Sequence, residues 1–334
     1  MSEAAVPLVD LSESREGPGR AVAAEAIRRA CETIGFFAVT GHGVPQDVIA
    51  AARREALAFF ARPREVKMQT PQPPERISRG YSWLGSRGLA FSLGNRTPPD
   101  LQESFAMGPV EPAPAALDGT EDARAFFAPN VWPAVQPGLQ PAFEAYYRAM
   151  AELSAHVLQL FATALGLPRD HFDAEIDHHT STMRAILYPP PPETVEEGQL
   201  RAGEHTDYGT LTIVRGDDVP GGLQVRTRAG AWIDVHPPAE GFVCNIGDLM
   251  MRWSNDHWLS NLHRVALPPA EAGNRARLTF AFFHNPNADA LIEPIRGFYR
   301  EGEAAKYPPA RFGDLFLRKH LSAQTMKAAQ GAGA

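Results

Sequence analysis

The stretch GEHTDYGTLT, residues 203–212, places His205 and Asp207 one residue apart in a run that otherwise alternates like a β-strand. Side chains two apart on a strand share a face, so this imidazole and this carboxylate are expected to point into one space. Such a pair either orients a catalytic base or binds a metal ion. A second histidine bears on the choice: His263, in WLSNLHRVALPP, lies in another strand-like run. Strands far apart in sequence lie side by side in a jelly roll, so His263 is expected next to the 203–212 strand at the mouth of a barrel.

Two neutral imidazoles and a carboxylate on one face of an ion form the facial triad used by non-haem Fe(II), which leaves positions open for a co-substrate and O2. Zinc takes similar ligands, in four-coordinate geometry with a water. The chain has eleven histidines, so a His-x-Asp pair alone carries little weight. A third element adds to it. In NRARLTFAFFHNP, Arg277 and Thr279 again sit two apart on one strand face. An arginine fork takes a carboxylate through two parallel hydrogen bonds, and a neighbouring hydroxyl adds another. An inward arginine left unpaired is costly, so Arg277 is expected to meet an anionic co-substrate, with an internal salt bridge as the bland alternative. Arg275 competes for the role, but ARLTF runs smoothly into the strand and favours Arg277.

The surrounding pattern is that of an α+β protein. AVAAEAIRRACETIG reads as a helix ending at Gly35, and PQDVIAAARREALAFFARP as another. Residues 64–137, rich in Pro, Gly and charge, are expected to form long irregular surface segments. From Gly138, Phe143, Tyr147, Met150, Leu153, Val157 and Phe161 step by three or four, the mark of a long amphipathic helix. Beyond about residue 182 the pattern turns to short β-branched or aromatic runs between Gly, Pro, Asn and Asp: MRAILYP, GTLTIV, GLQVRT, AWIDV, GFVCNI, HRVAL and RLTFAFF. Strands at this spacing suggest a barrel or a double-sheet jelly roll. PPARFGDLFLRKHL closes the chain as a helix. Region 1–137 and region 138–334 are expected to pack as one structural unit.

Composition narrows the function. Thirty-two basic against 39 acidic residues give a formal charge of −7 with no basic block, which argues against nucleic acid or an anionic membrane as the main partner. Cys31 and Cys244 lie in apolar stretches and read as buried thiols. No signal peptide and no bilayer-length apolar span is evident, so a soluble, cytoplasmic protein is expected.

With these motifs in place, the chain resembles the isopenicillin N synthase-like family of Fe(II)/2-oxoglutarate-dependent oxygenases. The likeness runs through VPLVDLS, GFFAVTGHGVP, DLQESFAMG, HTDYGTLTI, GGLQV, VCNIGD, SNLHRV and RLTFAFF. It implies a distorted double-stranded β-helix (jelly roll) with N- and C-terminal helices packed outside. It also implies that His205, Asp207 and His263 bind iron, and that Arg277 and Thr279 hold the distal carboxylate of 2-oxoglutarate. Tyr188, before Pro189 in ILYPP, matches a family tyrosine that helps hold the co-substrate. Thr279 stands where the family has serine and keeps the hydroxyl. The span from His263 to Arg277, containing PPAEAGN, is longer than usual and reads as an extended hairpin loop. Asp207 is present, whereas family halogenases lack this carboxylate.

Phe283 matches a position that packs on substrate, and Arg184, on the Tyr188 strand, is a candidate contact for an acidic substrate. Asp248 is expected to organise a turn and His42 to be structural, while His178, His179, His257 and His284 read as loop or surface residues. The implied activity is oxidation of a small organic metabolite, by hydroxylation or alternatively desaturation, with O2 and conversion of 2-oxoglutarate to succinate and CO2. Two rivals remain at this point: a family oxidase that uses no 2-oxoglutarate, and a non-catalytic metal-binding jelly roll. Neither the substrate nor the oligomeric state is legible.

Overall fold

The structure, a computed structural model, describes residues 6–73, 78–86, 88–94, 97–217, 219, 222–269, 275–300 and 303–318. The N-terminal region runs β1 (Leu8–Asp10), α1 (Gly17–Thr33), β2 (Phe36–Thr40), α2 (Gln46–Phe60), α3 (Arg64–Lys67), β3 (Gly80–Ser82), β4 (Glu103–Met107) and α4 (Glu121–Phe126). Helices α5 (Leu139–Ala164) and α6 (Asp173–Ile176) then lead to β5 (Thr182–Tyr188) and β6 (Ala202–His205). The remainder is β7 (Leu211–Gly216), β8 (Leu223–Arg226), β9 (Trp232–Asp234), β10 (Phe242–Ile246), α7 (Asp248–Trp253), β11 (His263–Val265) and β12 (Arg277–His284).

Two sheets form the jelly roll. The larger has the order β1-β2-β10-β7-β12-β5-β4-β3 and the smaller β6-β11-β8-β9. Pleating sorts each strand of the large sheet into two faces. On β12, Leu278, Phe280 and Phe282 are buried on the outer face, where Phe280 meets Tyr146 of α5 at 5.0 Å and Phe282 meets Tyr147 at 5.1 Å between ring centroids. The residues between them, Arg277, Thr279, Ala281 and Phe283, line the cavity on the inner face. The stripe read on α5 is the face it buries: Phe143, Tyr147, Met150, Leu153, Val157 and Phe161 are all core residues. Each such side chain contributes roughly 1.5–3 kcal/mol when fully buried. This wall makes the sheet a rigid support for the inner face.

Helix α1 ends before Gly35, whose φ of +73° is a left-handed conformation that favours glycine. Cys31 and Cys244 are buried free thiols. Residues 64–137 depart from expectation. Instead of only irregular surface, they carry β3 and β4, which extend the large sheet beyond β5. Tyr81, Phe105 and Met107 are core residues, and Phe105 packs on Phe59 of α2 at 5.0 Å. Strands of three and five residues flanked by Pro and Gly are too short to show a period. At the C-terminal end, residues 312–318 are helical, while residues 319–321 of the expected helix, and residues 270–274 of the expected hairpin loop, lie outside the described residues.

Candidate metal centre and co-substrate pocket

His205 and His263 face each other directly across the β6–β11 pair, as a jelly-roll strand pair at the barrel mouth requires. Their ring centroids lie 4.2 Å apart. The reading of residues 203–212 as one strand needs correction, because β6 stops at His205 and Asp207 lies in the crossing from the small sheet to β7 of the large one. Close packing holds that crossing. A Cβ on Gly209 would sit 2.2 Å from the His284 carbonyl oxygen, and one on Gly247 would sit 2.1 Å from the Gly209 oxygen. The Asp248 N–H donates to the Asp207 carbonyl at 2.8 Å, and the Asp248 carboxylate accepts from Ser260 Oγ at 2.7 Å and Thr206 Oγ1 at 3.4 Å, which ties Asp248 to this crossing.

The outcome is a tight cluster. Asp207 Oδ1 lies 3.9 Å from His205 Nε2, and Asp207 Oδ2 lies 3.7 Å from His263 Nε2. One ligand atom from each of the three residues falls within 4.8 Å of the others, the single such grouping among the described residues. Each imidazole is oriented from behind. His205 Nδ1 is 2.8 Å from the Gly203 carbonyl oxygen and His263 Nδ1 is 3.2 Å from that of Asn261. A carbonyl only accepts, so Nδ1 carries the proton in both rings and the Nε2 lone pairs are left for a metal. Asp207 is braced as well: Thr212 Oγ1 donates to its Oδ2 at 2.7 Å and Asn245 Nδ2 at 2.8 Å. Burial alone would raise the Asp207 carboxyl. A protonated His263 or His205 ring would lower it, and these two hydrogen bonds also lower it, so that the net direction is below the usual carboxylate range.

Arg277, Thr279 and Tyr188 also come together. Arg277 pairs with Tyr188 across β12 and β5, and all three are buried and line the same cavity of about 490 Å³ as the His–Asp–His cluster. Arg275 is exposed and lies before β12, whose first residue is Arg277, so the start of the strand separates the two arginines. Room for the Arg277 guanidinium comes from glycines: a Cβ on Gly216 would lie 2.4 Å from Arg277 Nη2. Arg277 Nη1 donates to the Val219 carbonyl at 2.8 Å. Arg184 and Phe283 line the cavity too. The Arg184 guanidinium lies 5.9 Å from the Phe283 ring and donates to Ser78 Oγ at 2.6 Å.

Sequence reasoning missed Asn245 and Thr212. The available signal was an asparagine inside the apolar strand GFVCNI, since a buried amide needs a partner. Among the other histidines, His178 and His257 are exposed. His284 instead is buried at the end of β12, with Nδ1 2.8 Å from Thr210 Oγ1. His42 is structural, its Nε2 donating to the Glu240 carbonyl at 2.7 Å.

An oxygen-activating iron site leaves coordination positions open where a structural site is closed, and the His205, Asp207 and His263 cluster, which could hold a metal ion, faces a cavity. The class is that of the non-haem iron oxygenases. Residues 179–286 match the 2OG-Fe(II) oxygenase superfamily, and residues 6–135 match the N-terminal region described as non-haem dioxygenase in morphine synthesis. A 2-oxoglutarate-Fe(II) type oxidoreductase of Emericella nidulans is 34% identical, over 94% of this chain and 89% of that protein. A homoarginine-6-hydroxylase of Oryza sativa subsp. japonica is 33% identical, over 88% of this chain and 87% of its own length. A Neurospora crassa crystal structure with alpha-KG and thymine superposes with a TM-score of 0.83 at 29% identity, covering 96% of this chain and 98% of that one.

The chain belongs to the 2OG-Fe(II) oxygenase superfamily and is a 2-oxoglutarate-dependent non-haem iron dioxygenase, using Fe(II), 2-oxoglutarate and O2. That sets aside the 2-oxoglutarate-independent oxidase and the non-catalytic metal binder. The residues fit these groups. Two neutral imidazoles and a carboxylate suit Fe(II), and the buried Thr279 Oγ1 has no hydrogen-bond partner among the described residues, as expected of a group that receives a ligand. Among the described residues, no helix is long and apolar enough to cross a membrane.

Proposed function

We propose that this dioxygenase hydroxylates a small organic metabolite, with His205, Asp207 and His263 holding Fe(II) and Arg277, Thr279 and Tyr188 holding 2-oxoglutarate. One observation carries the reading: the His–Asp–His cluster and the Arg–Thr pair open into one cavity of about 490 Å³, within the usual range for small-ligand sites. When bound, the iron and 2-oxoglutarate supply the oxidation of the substrate by O2, releasing succinate and CO2. The protein supplies orientation and charge. Nδ1–H bonds to Gly203 and Asn261 keep both imidazoles in the ligating tautomer, and Asn245 and Thr212 fix the carboxylate. Burial pushes the Tyr188 phenol above its ordinary range, so it stays a neutral O–H donor. Arg184 and Phe283 form the substrate wall, where an acidic or otherwise accepting substrate group meets the guanidinium and an apolar part meets the ring.

The test is anaerobic addition of 2-oxoglutarate to the Fe(II)-loaded protein. A weak visible charge-transfer absorption is expected, then succinate on admitting air, released faster when a metabolite fills the pocket. His205→Ala, Asp207→Ala and His263→Ala should each lose iron while staying folded. Normal iron stoichiometry in any one removes that residue from the triad. Iron binding without the absorption, and without succinate for any candidate metabolite, sinks the reading.

A further inference from the structure

Gly203 connects a proposed iron ligand to the N-terminal region. Its carbonyl accepts the Nδ1–H of His205 at 2.8 Å, and its own N–H donates to Asp100 Oδ1 at 2.9 Å. Asp100 is 1% exposed. Its other oxygen, Oδ2, accepts from the Leu89 N–H at 2.9 Å and from Gln102 Nε2 at 3.2 Å, and both of those residues line the cavity. There is little slack in the contact: a Cβ on Gly203 would lie 3.1 Å from Ala90 Cβ and 3.3 Å from Asp100 Oδ1. The other imidazole is held on the same plan. His263 leans on the Asn261 carbonyl, and the Asn261 amide is tied to the carbonyls of Arg226 at 2.7 Å and Ile34 at 3.0 Å. Each ring therefore rests on the residue two before it, and each of those residues is pinned from another element.

We propose that Asp100 is a positioning residue of the iron site. Through Gly203 it fixes the orientation of the His205 ring, and through Leu89 and Gln102 it ties that ring to the cavity wall. The inference rests on His205 being an iron ligand. Hydrogen bonds to an ionised carboxylate are roughly twice as strong as neutral ones, so a buried carboxylate holds the Gly203 peptide more firmly than an amide or a water. Loss of a group that orients a metal-bound histidine typically costs about 10–100-fold in metal affinity. Asp100 stands one residue further out, so the lower end of that range applies. A role confined to stapling two loops would lower thermal stability and leave the affinity of folded protein unchanged.

The test uses the full chain with Asp100→Ala, Asp100→Asn and His205→Ala, each verified by circular dichroism and cooperative melting. Fe(II) affinity is measured anaerobically by competition with a chromophoric chelator, and 2-oxoglutarate affinity at saturating Fe(II). Asp100→Ala should weaken Fe(II) about tenfold with 2-oxoglutarate affinity largely kept. Asp100→Asn should weaken it by about threefold or more, because its amide donors face the Leu89 N–H and Gln102 Nε2 and its remaining acceptor is uncharged. If the alanine variant fails to fold, the asparagine variant decides. Parent-like Fe(II) affinity in a folded Asp100 variant, with His205→Ala deficient, overturns the role of Asp100 alone. Parent-like affinity in His205→Ala overturns the ligand assignment and this inference with it.

Discussion

At the scale of single residues, the choice between Arg275 and Arg277 turns on where β12 begins: Arg275 lies before the strand and is exposed, whereas Arg277 is its first residue. Arg277 lines the cavity and is 6% exposed, beside Thr279, whose hydroxyl has no hydrogen-bond partner among the described residues. Removing one partner of a desolvated, hydrogen-bonded charge pair costs roughly 2–5 kcal/mol. Arg277→Leu should therefore weaken 2-oxoglutarate by about one and a half to three and a half decades while iron binding persists, as read by titrating each ligand. Loss of that size in Arg275→Leu, with Arg277→Leu silent, would put the fork on the wrong arginine. His205, Asp207, His263 and Arg277 could be singled out from the sequence because histidine, aspartate and arginine are unusual within strand-like apolar runs. Asn245 and Thr212 were not, because their role depends on a register: the two pair across β10 and β7, which brings both to Asp207.

At the scale of elements, α5 shows the apolar stripe read from its sequence and, within the buried set, the polar residues Ser154 and His156. His156 Nε2 is 2.7 Å from Ser14 Oγ. That hydroxyl donates to the Leu11 carbonyl, so the ring donates to it. His156 Nδ1 is buried with no hydrogen-bond partner among the described residues. Burial, and then the charges of Arg15, Arg20 and Arg169, lower its pKa from 6.5 to about 4. The folded state therefore resists a proton that the unfolded chain accepts. The stability from the neutral ring is complete above about pH 6.5 and is lost as pH falls toward about 4. His156→Gln should flatten the fall of Tm with pH across that window, measured by circular dichroism. An unchanged slope would show that His156 contributes nothing there. His179, also lowered to about 4, and His284, lowered further, act in the same direction, so the flattening is partial.

At the scale of the whole molecule, the N-terminal region is woven into the core. Strands β1 and β2 flank β10 at one side of the large sheet, and β4 and β3 flank β5 at the other. Without residues 1–137, the edges of β10 and β5 would lose their partners and the outer face would lose α1 and α2. We expect the full chain to unfold in one transition and a 138–334 fragment to show no cooperative transition by calorimetry. A fragment that melts cooperatively and keeps Fe(II) would make the N-terminal region a separate domain. This interleaving was hard to read from sequence, because β3 and β4 are short and lie among Pro- and Gly-rich segments.

The sequence alone determined the α+β character, the extent of α5, the strand-rich second half and the residue types suited to a metal and an anion. All of these are local, set by side-chain periodicity and chemistry within a few residues. Tertiary structure decided the rest. It ended β6 at His205 and turned Asp207 into the crossing between sheets, and it set the register that places Asn245 and Thr212 on its carboxylate. It also brought Asp100 to Gly203. Strand order, register and sheet switching are fixed by how distant segments pack, and a hydrogen-bond partner far along the chain is chosen only by that packing.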